Sequence, residues 1–139
     1  MEAGRDYIGL GVGAVVSDVR NRLFLARRGP ATRNEVDTWE FPGGAVAYGE
    51  LLEEAVHREF AEEYGMTIEV TGMLGAFDHI LPAEHQHWVS ITYLARHLSG
   101  EPSIREPDKC SEVGWFAYDF LPASLSAITT ANLTQLRLQ

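Results

Sequence analysis

Three glutamates near the middle of the sequence have the residue type and spacing to do chemistry. Within the stretch REFAEEYGM, residues 58–66, Glu59 is followed by Glu62 and Glu63, three and four positions later. At about 100° per residue, a helix places all three carboxylates close together on one side. That side continues an apolar stripe made of Leu52, Val56 and Phe60. Like charges four residues apart on a helix repel each other, and burying them unpaired is costly. The three carboxylates therefore need a stabilising environment.

Three environments would stabilise these carboxylates. A solvated acidic face is the ordinary role of a glutamate cluster on a helix. A buried arginine partner is the second, and Arg58 is adjacent. The third is a hard divalent cation such as Mg²⁺, which takes oxygen ligands and commonly bridges carboxylates to substrate phosphates. The continuing apolar stripe argues against the solvated face and leaves the other two open.

The elements that must position these residues are predicted from periodicity and turn signals. A helix over residues 50–64, ended by Gly65, carries the glutamates. The sequence predicts strands at residues 8–17, 23–28, 38–44, 67–77, 87–96 and 112–118, loops at 78–86 and 99–111, and a C-terminal helix opened by Pro122. Strands before and after one central helix, with a terminal helix, indicate an α/β fold. We expect a single domain, residues 1–139, in which a mixed central sheet lies between two helical layers in an α/β/α sandwich.

Composition excludes several classes of protein. The chain has 139 residues, a formal net charge of −9, 45% hydrophobic and 22% charged residues. Such acidity argues against nonspecific binding to nucleic-acid polymers or acidic membranes, since both are polyanions. The single cysteine, Cys110, fits a reducing compartment. No apolar run approaches the roughly 18 residues of a membrane span and the start does not resemble a signal peptide, so the cytoplasm is the expected location.

The window from residue 44 to residue 66 favours the cation. Five residues separate Gly44 from Glu50, seven separate Glu50 from Arg58, and Gly65 and Met66 end the window. This run resembles the Nudix hydrolase signature, G-x5-E-x7-R-E-U-x-E-E-x-G-U, in which U is a bulky apolar residue. All seven fixed residues are present, and Phe60 and Met66 fill the apolar positions. We call residues 44–66 the Nudix box. The segment EFPGG at its start and the segment GWF after it extend the resemblance over most of the chain.

The resemblance implies a helix that binds Mg²⁺, with Mn²⁺ as a substitute. The implied ligands are Glu59 and Glu63, with Glu62 and the carbonyl of Gly43 beside them. Glu50 is implied as a ligand or an orienting group, and either Glu50 or Glu63 as the general base. Arg58 has a planar guanidinium that can hold a neighbouring carboxylate in place. Members of this family hydrolyse the diphosphate linkage of a nucleoside diphosphate joined to another group.

Some family members place a further catalytic carboxylate in a later loop, and here that assignment stays open. The corresponding segment is REPDKCSEVGW, and the position aligned with the carboxylate is occupied by Lys109. Glu106, Asp108 and Glu112 flank it, and each is also consistent with an ordinary acidic loop. Glu112 is retained as the candidate for an additional metal ligand.

The substrate is predicted less sharply than the reaction. Arg27 and Arg28 end a predicted strand and point to opposite faces, so one of them could meet substrate phosphates. The segment EPDKC, followed by an aromatic strand, resembles the MutT-type branch, which cleaves nucleoside triphosphates to monophosphate and pyrophosphate. Pro82, sixteen residues beyond Met66, favours ADP-ribose pyrophosphatase as the alternative. A nucleotide sensor that has lost catalysis is a third possibility, which the complete set of box glutamates argues against. Many relatives form homodimers.

Three other patterns are weaker indications of a functional site. The run GLGVGA, residues 9–14, fits a dinucleotide-binding pattern, but it lies inside a predicted strand with no helix after it. Histidines in and beside the 78–86 loop could ligate zinc, although no cysteine accompanies them: His79, His85 and His87. Four aromatic residues could stack on a nucleobase, but strand aromatics more commonly pack in a core: Trp39, Phe77, Trp88 and Trp115.

Overall fold

One seven-stranded sheet and two helices form the fold in a computed structural model that describes residues 1–139. The strands are β1 (Gly9–Ser17), β2 (Leu23–Arg28), β3 (Trp39–Glu40), β4 (Gly43–Ala45), β5 (Thr67–Leu81), β6 (Gln86–Ser99) and β7 (Cys110–Phe116), and the helices are α1 (Leu52–Tyr64) and α2 (Ala127–Arg137). The order along the sheet is β3-β2-β1-β6-β5, with β4 paired to β1 and β7 to β2. Strands β1 and β6 run parallel and the other pairs are antiparallel, so the sheet is mixed as predicted.

Two apolar cores lie on opposite faces of the sheet. Because strand residues alternate between faces, Val12, Ala14 and Val16 of β1 join the α1 residues in one core. Val15 points the other way, toward Leu133 of α2. The sheet is therefore covered by a helix on each face, and the predicted α/β/α arrangement is confirmed. Neither helix is long and apolar enough to cross a lipid bilayer.

The sheet opens between β1 and β2. These two strands pair only where Ser17 meets Leu23. Further along, β4 takes the place beside β1, and β3 takes the place beside β2. The segment that joins β3 to β4 therefore crosses the gap and leaves a cleft in the sheet. The cleft lies beside α1, because α1 packs directly against β4.

Two predicted boundaries are wrong. Strand β5 continues to Leu81 instead of ending at residue 77, because residues 78–81 pair with β6 in an unbroken hairpin. A short 3₁₀ turn, Pro82–Glu84, closes that hairpin. Helix α2 begins at Ala127 and not at Pro122, since Ser126 is its N-cap and accepts a hydrogen bond from the Thr129 N–H.

Candidate active site

Helix α1 brings the predicted glutamates to the cleft, and its ends are well defined. The carboxylate of Glu54 accepts a hydrogen bond from the Leu51 N–H at 2.9 Å at the N-terminal end. Gly65 ends the helix with a φ of 71°, a conformation that glycine adopts without strain. The buried side of α1 packs on the sheet through four residues: Ala55, Val56, Phe60 and Tyr64. Helix α1 therefore holds in place the carboxylates that lie along its buried side.

Arg58 organises the acidic side chains around it. Its guanidinium donates to both carboxylate oxygens of Glu50, at 2.6 and 3.0 Å, and to the Ala45 carbonyl at 3.0 Å. It also donates to Glu59 at 2.8 Å and, more distantly, to Glu62 at 3.4 Å. The Arg58 hydrogen bond, followed by one from the Ala47 N–H, lowers the pKa of Glu50 to about 2. Glu50 therefore orients Arg58, and its own oxygens are already occupied.

Glu63 is the carboxylate at this site that the protein leaves without a partner. Glu63 is half-buried, and its side chain forms no salt bridge and no hydrogen bond with any other residue of 1–139. Burial, then the charges of Glu59 and Glu40, raise the pKa of Glu63 to about 8. An acidic group in such a position is stabilised by a cation, so Glu63 fits a hard divalent ion such as Mg²⁺.

Glycines of β4 allow the close approach of α1. A Cβ on Gly44 would lie 2.3–2.5 Å from the carboxylate atoms of Glu59, and one on Gly43 would lie 1.9 Å from the Val12 carbonyl oxygen. The Glu59 carboxylate therefore rests against the backbone of β4, and its side chain is only 13% exposed. Burial, opposed by the Arg58 hydrogen bond, raises the pKa of Glu59. Across residues 1–139, no three His, Cys, Asp or Glu side chains converge as a preformed ligand set.

A cavity of about 610 Å³ is lined by Glu63 and extends through the cleft in the sheet. Helix α1 contributes Glu63 to one end of its lining, and α2, on the opposite face of the sheet, contributes Asn132 to the other. The buried Asn132 of α2 donates a hydrogen bond from its amide to the Thr92 hydroxyl at 3.1 Å. The cavity therefore joins an acidic end to a polar end, and its volume suits a small ligand.

Glu40 belongs to the acidic end and was missed by sequence reasoning. It lies on β3, lines the cavity, and accepts a hydrogen bond from Arg28 at 2.9 Å. Burial raises the pKa of Glu40, and the Arg28 guanidinium opposes that rise. Arg28 also donates to the backbone and side-chain oxygens of Asn34, at 2.9 and 3.1 Å. A signal was available, since Glu40 is the charged residue between the aromatic residues Trp39 and Phe41.

Arg27 and Glu112 lie away from this group. They are paired with each other across β2 and β7 at 3.4 Å, and neither lines the cavity. Strand alternation turns Arg27 to the sheet face opposite the buried Ala26, which packs in the α1 core. We therefore leave Arg27 and Glu112 out of the proposed site. Their roles in substrate and metal binding stay predictions, which this arrangement does not support.

The loop before β7 secures the C-terminal end of α1. The guanidinium of Arg105 donates to the Ala61 carbonyl at 3.1 Å, and the Ser103 N–H donates to the Tyr64 carbonyl at 3.0 Å. Lys109, further along this loop, lines the cavity. Its neighbours Glu106 and Asp108 are exposed and do not line it.

The other sequence patterns have structural roles. His79 bonds Glu35 at 3.1 Å, while His85 is exposed in the turn, so the three histidines do not form a zinc site. The glycines of residues 9–14 lie within β1, where Gly13 closely approaches Pro42. Three of the four aromatic residues pack against the cores, namely Trp39, Phe77 and Trp115. Trp88 is the one that lines the cavity.

Comparison with known proteins identifies the family. The family model described as NUDIX domain matches residues 8–135. An 8-oxo-dGTP diphosphatase of Escherichia coli K12 is 32% identical over 114 residues, covering 79% of this chain and 85% of that protein. An ADP-ribose pyrophosphatase of Methanocaldococcus jannaschii is 35% identical over 81 residues, covering 58% of this chain and 47% of that protein.

A solved structure agrees in fold and in sequence. The crystal structure of a MutT NUDIX hydrolase from Burkholderia pseudomallei superposes with a TM-score of 0.87 at 40% identity, covering 94% of this chain and 99% of that one. The chain belongs to the Nudix family, in which it is a MutT-like pyrophosphohydrolase.

Proposed function

We propose that this protein hydrolyses a nucleoside triphosphate to the monophosphate and pyrophosphate in a Mg²⁺-dependent reaction. The observation that carries the proposal is the unpartnered carboxylate of Glu63 at one end of a cavity of about 610 Å³. A nucleotide in this cavity has its phosphates at the acidic end and its base at the polar end. The likeness to the Escherichia coli 8-oxo-dGTP diphosphatase supports a triphosphate as the substrate.

The metal end of the site is assigned to α1 and β4. Glu59 and Glu63 would hold the ion, with Glu62 and the Gly43 carbonyl beside them, and Mn²⁺ would substitute for Mg²⁺. When bound, the ion neutralises phosphate charge and lowers the pKa of water. Glu62 is 63% exposed and bonds Arg58 only at 3.4 Å, so it is free to turn toward an ion.

Glu63 is assigned as the group that accepts the proton of the attacking water. Of the two carboxylates considered for this role, Glu50 has its oxygens engaged by Arg58 and the Ala47 N–H. Glu63 has both oxygens unengaged by the protein, so one is available for a cation and the other for a proton. Arg58 holds Glu59 at 2.8 Å and so limits the movement of that carboxylate.

The polar end of the cavity is assigned to the nucleobase. The Asn132 amide is fixed by its bond to Thr92, and its side-chain oxygen makes no hydrogen bond within the protein. An amide held in this way can recognise the hydrogen-bonding edge of a base. The indole of Trp88 lines the same cavity, with the Arg33 guanidinium 5.3 Å from the centre of its ring.

A panel of nucleotides with identification of the products tests this proposal. We expect nucleoside triphosphates to give monophosphate and pyrophosphate with Mg²⁺, and no turnover with EDTA. ADP-ribose is the second candidate, supported by the likeness to the Methanocaldococcus jannaschii pyrophosphatase, and its products would be AMP and ribose 5-phosphate. Binding of nucleotides with no turnover of any panel member would contradict both candidates and indicate a sensor.

A further inference from the structure

Few basic side chains line the cavity. Three Lys or Arg residues line the whole cavity: Arg28, Arg33 and Lys109. The guanidinium of Arg28 is engaged by Glu40 and Asn34, as described above. Arg33 lies at the other end, with its guanidinium 5.3 Å from the centre of the Trp88 ring. Lys109 is therefore the basic residue of the cavity that is left for a ligand at the Glu63 end.

The ammonium of Lys109 is weakly held. Its one salt bridge is with Glu106 at 3.8 Å, and the two side chains are 63% and 48% exposed. An exposed pair at this distance contributes little, and a ligand of higher charge displaces it easily. Lys109 and Glu63 both line the cavity, so the ammonium and the carboxylate border the same space.

The backbone of Lys109 is fixed although its side chain is free. Its carbonyl accepts a hydrogen bond from the Gly29 N–H at 2.8 Å, and its N–H donates to the Glu106 carbonyl at 2.9 Å. The contact between the two segments is close, because a Cβ on Gly29 would lie 2.6 Å from the Asp108 carbonyl oxygen. The Lys109 side chain therefore extends from a rigid turn at the mouth of the cavity.

On the basis of the proposed function, we propose that Lys109 binds the terminal phosphates of the nucleotide at the Glu63 end of the cavity. Arg28 offsets Glu40 and Arg58 offsets Glu59, so the unpaired charge of Glu63 repels a polyphosphate unless a further cation offsets it. A lysine ammonium binds phosphate as a point charge. Lys109 supplies such a charge from the protein itself, and its contribution falls on the second and third phosphates and not on the base. It is a substrate-binding residue that distinguishes triphosphates from monophosphates.

Titration calorimetry with Lys109→Met tests this inference. The ligands are a non-hydrolysable α,β-methylene triphosphate and the monophosphate of the same nucleoside, each with Mg²⁺. We expect the Kd of the triphosphate analogue to rise about tenfold or more, as for loss of a charged hydrogen bond, and that of the monophosphate to change less than about twofold. Lys109→Arg should retain most of the affinity, and Lys109→Glu should lose more than Lys109→Met. Glu106→Gln, which removes the weak partner, serves as the matched control and should not weaken binding.

The outcomes separate this inference from the proposed function. Equal triphosphate affinity in wild type and Lys109→Met, with the wild type turning over triphosphates, overturns the role of Lys109 alone. An equal loss of affinity for the triphosphate and the monophosphate also overturns it, because the effect would then be structural. A wild-type protein that neither binds nor hydrolyses any nucleotide of the panel overturns the proposed function and this inference together.

Discussion

Substitution of Gly44 by alanine should displace the Glu59 carboxylate without unfolding the protein. The new Cβ would lie 2.3–2.5 Å from the carboxylate atoms of Glu59, whereas ordinary carbon contacts begin near 3.4 Å. The carboxylate must therefore retreat by about 1 Å, and a misplacement of that size can reduce an enzymatic rate about 100-fold. We expect kcat/KM to fall by about that factor, equivalent to about 2.7 kcal/mol of transition-state stabilisation.

The fold should tolerate this substitution. The clash involves the far end of a flexible side chain, and the backbone of Gly44 does not have a positive φ. Alanine also restricts the unfolded chain, which is worth about 0.4–1 kcal/mol in favour of the folded state. We therefore expect the free energy of unfolding to change by less than about 1 kcal/mol, as measured by urea denaturation.

Steady-state kinetics with two companion variants complete the test. Gly72→Ala is the matched control, because its Cβ would meet nothing closer than Leu94 Cδ1 at 4.0 Å, and its activity should equal that of wild type. Glu59→Gln should lose at least as much activity as Gly44→Ala. The reasoning is refuted if Gly44→Ala keeps wild-type kcat/KM, since the position of Glu59 against β4 would then not matter for catalysis.

Three further substitutions test the supporting structure. Arg58→Lys should lower kcat/KM at least about tenfold, because the single nitrogen of an ammonium cannot replace the three nitrogens that reach Glu50 and Glu59; unchanged kinetics would remove Arg58 from the site. Asp18→Asn should cost about 1 kcal/mol at pH 7. Burial acts to raise the pKa of Asp18, but hydrogen bonds from Arg22 outweigh it, so the net pKa is lowered. The stability that the Asp18 carboxylate contributes is therefore present above its unfolded pKa of about 3.9 and is lost as pH falls through the folded value. A cost that persists at pH 2 in chemical denaturation would contradict that assignment. Gly65→Ala should cost about 1–2 kcal/mol in urea denaturation because of its φ of 71°, and no loss would show that the helix end relaxes freely.

The box helix and its carboxylates were predictable because local signals agree there. The apolar stripe, the spacing of the glutamates and the glycine at position 65 all point to one helix with one buried side. The opposite orientations of Arg27 and Arg28 also followed from strand alternation. Strand alternation did not show which of the two arginines faces the cavity, since that depends on the side of the sheet that α1 covers.

The rest of the site depends on contacts between distant parts of the chain. Glu40 reaches the cavity because the chain crosses the gap between β1 and β2 directly after β3, and nothing local to this two-residue strand specifies that crossing. Asn132 reaches it because α2 packs against β5 and Asn132 bonds Thr92 of β6, forty residues earlier in the chain. The length of β5 was underestimated because its polar residues 78 and 79 resemble a loop until they are paired with β6.

Metal binding by Glu63 is the central claim, and Mn²⁺ binding measured by electron paramagnetic resonance tests it most directly. The titration would compare wild type, Glu63→Gln and Glu53→Gln with the α,β-methylene triphosphate present. Glu53 lies in the first turn of the same helix and is exposed, so it controls for loss of one negative charge. We predict that Glu63→Gln weakens Mn²⁺ binding by about tenfold or more and that Glu53→Gln leaves it unchanged. Equal Mn²⁺ affinity in all three proteins would contradict the account.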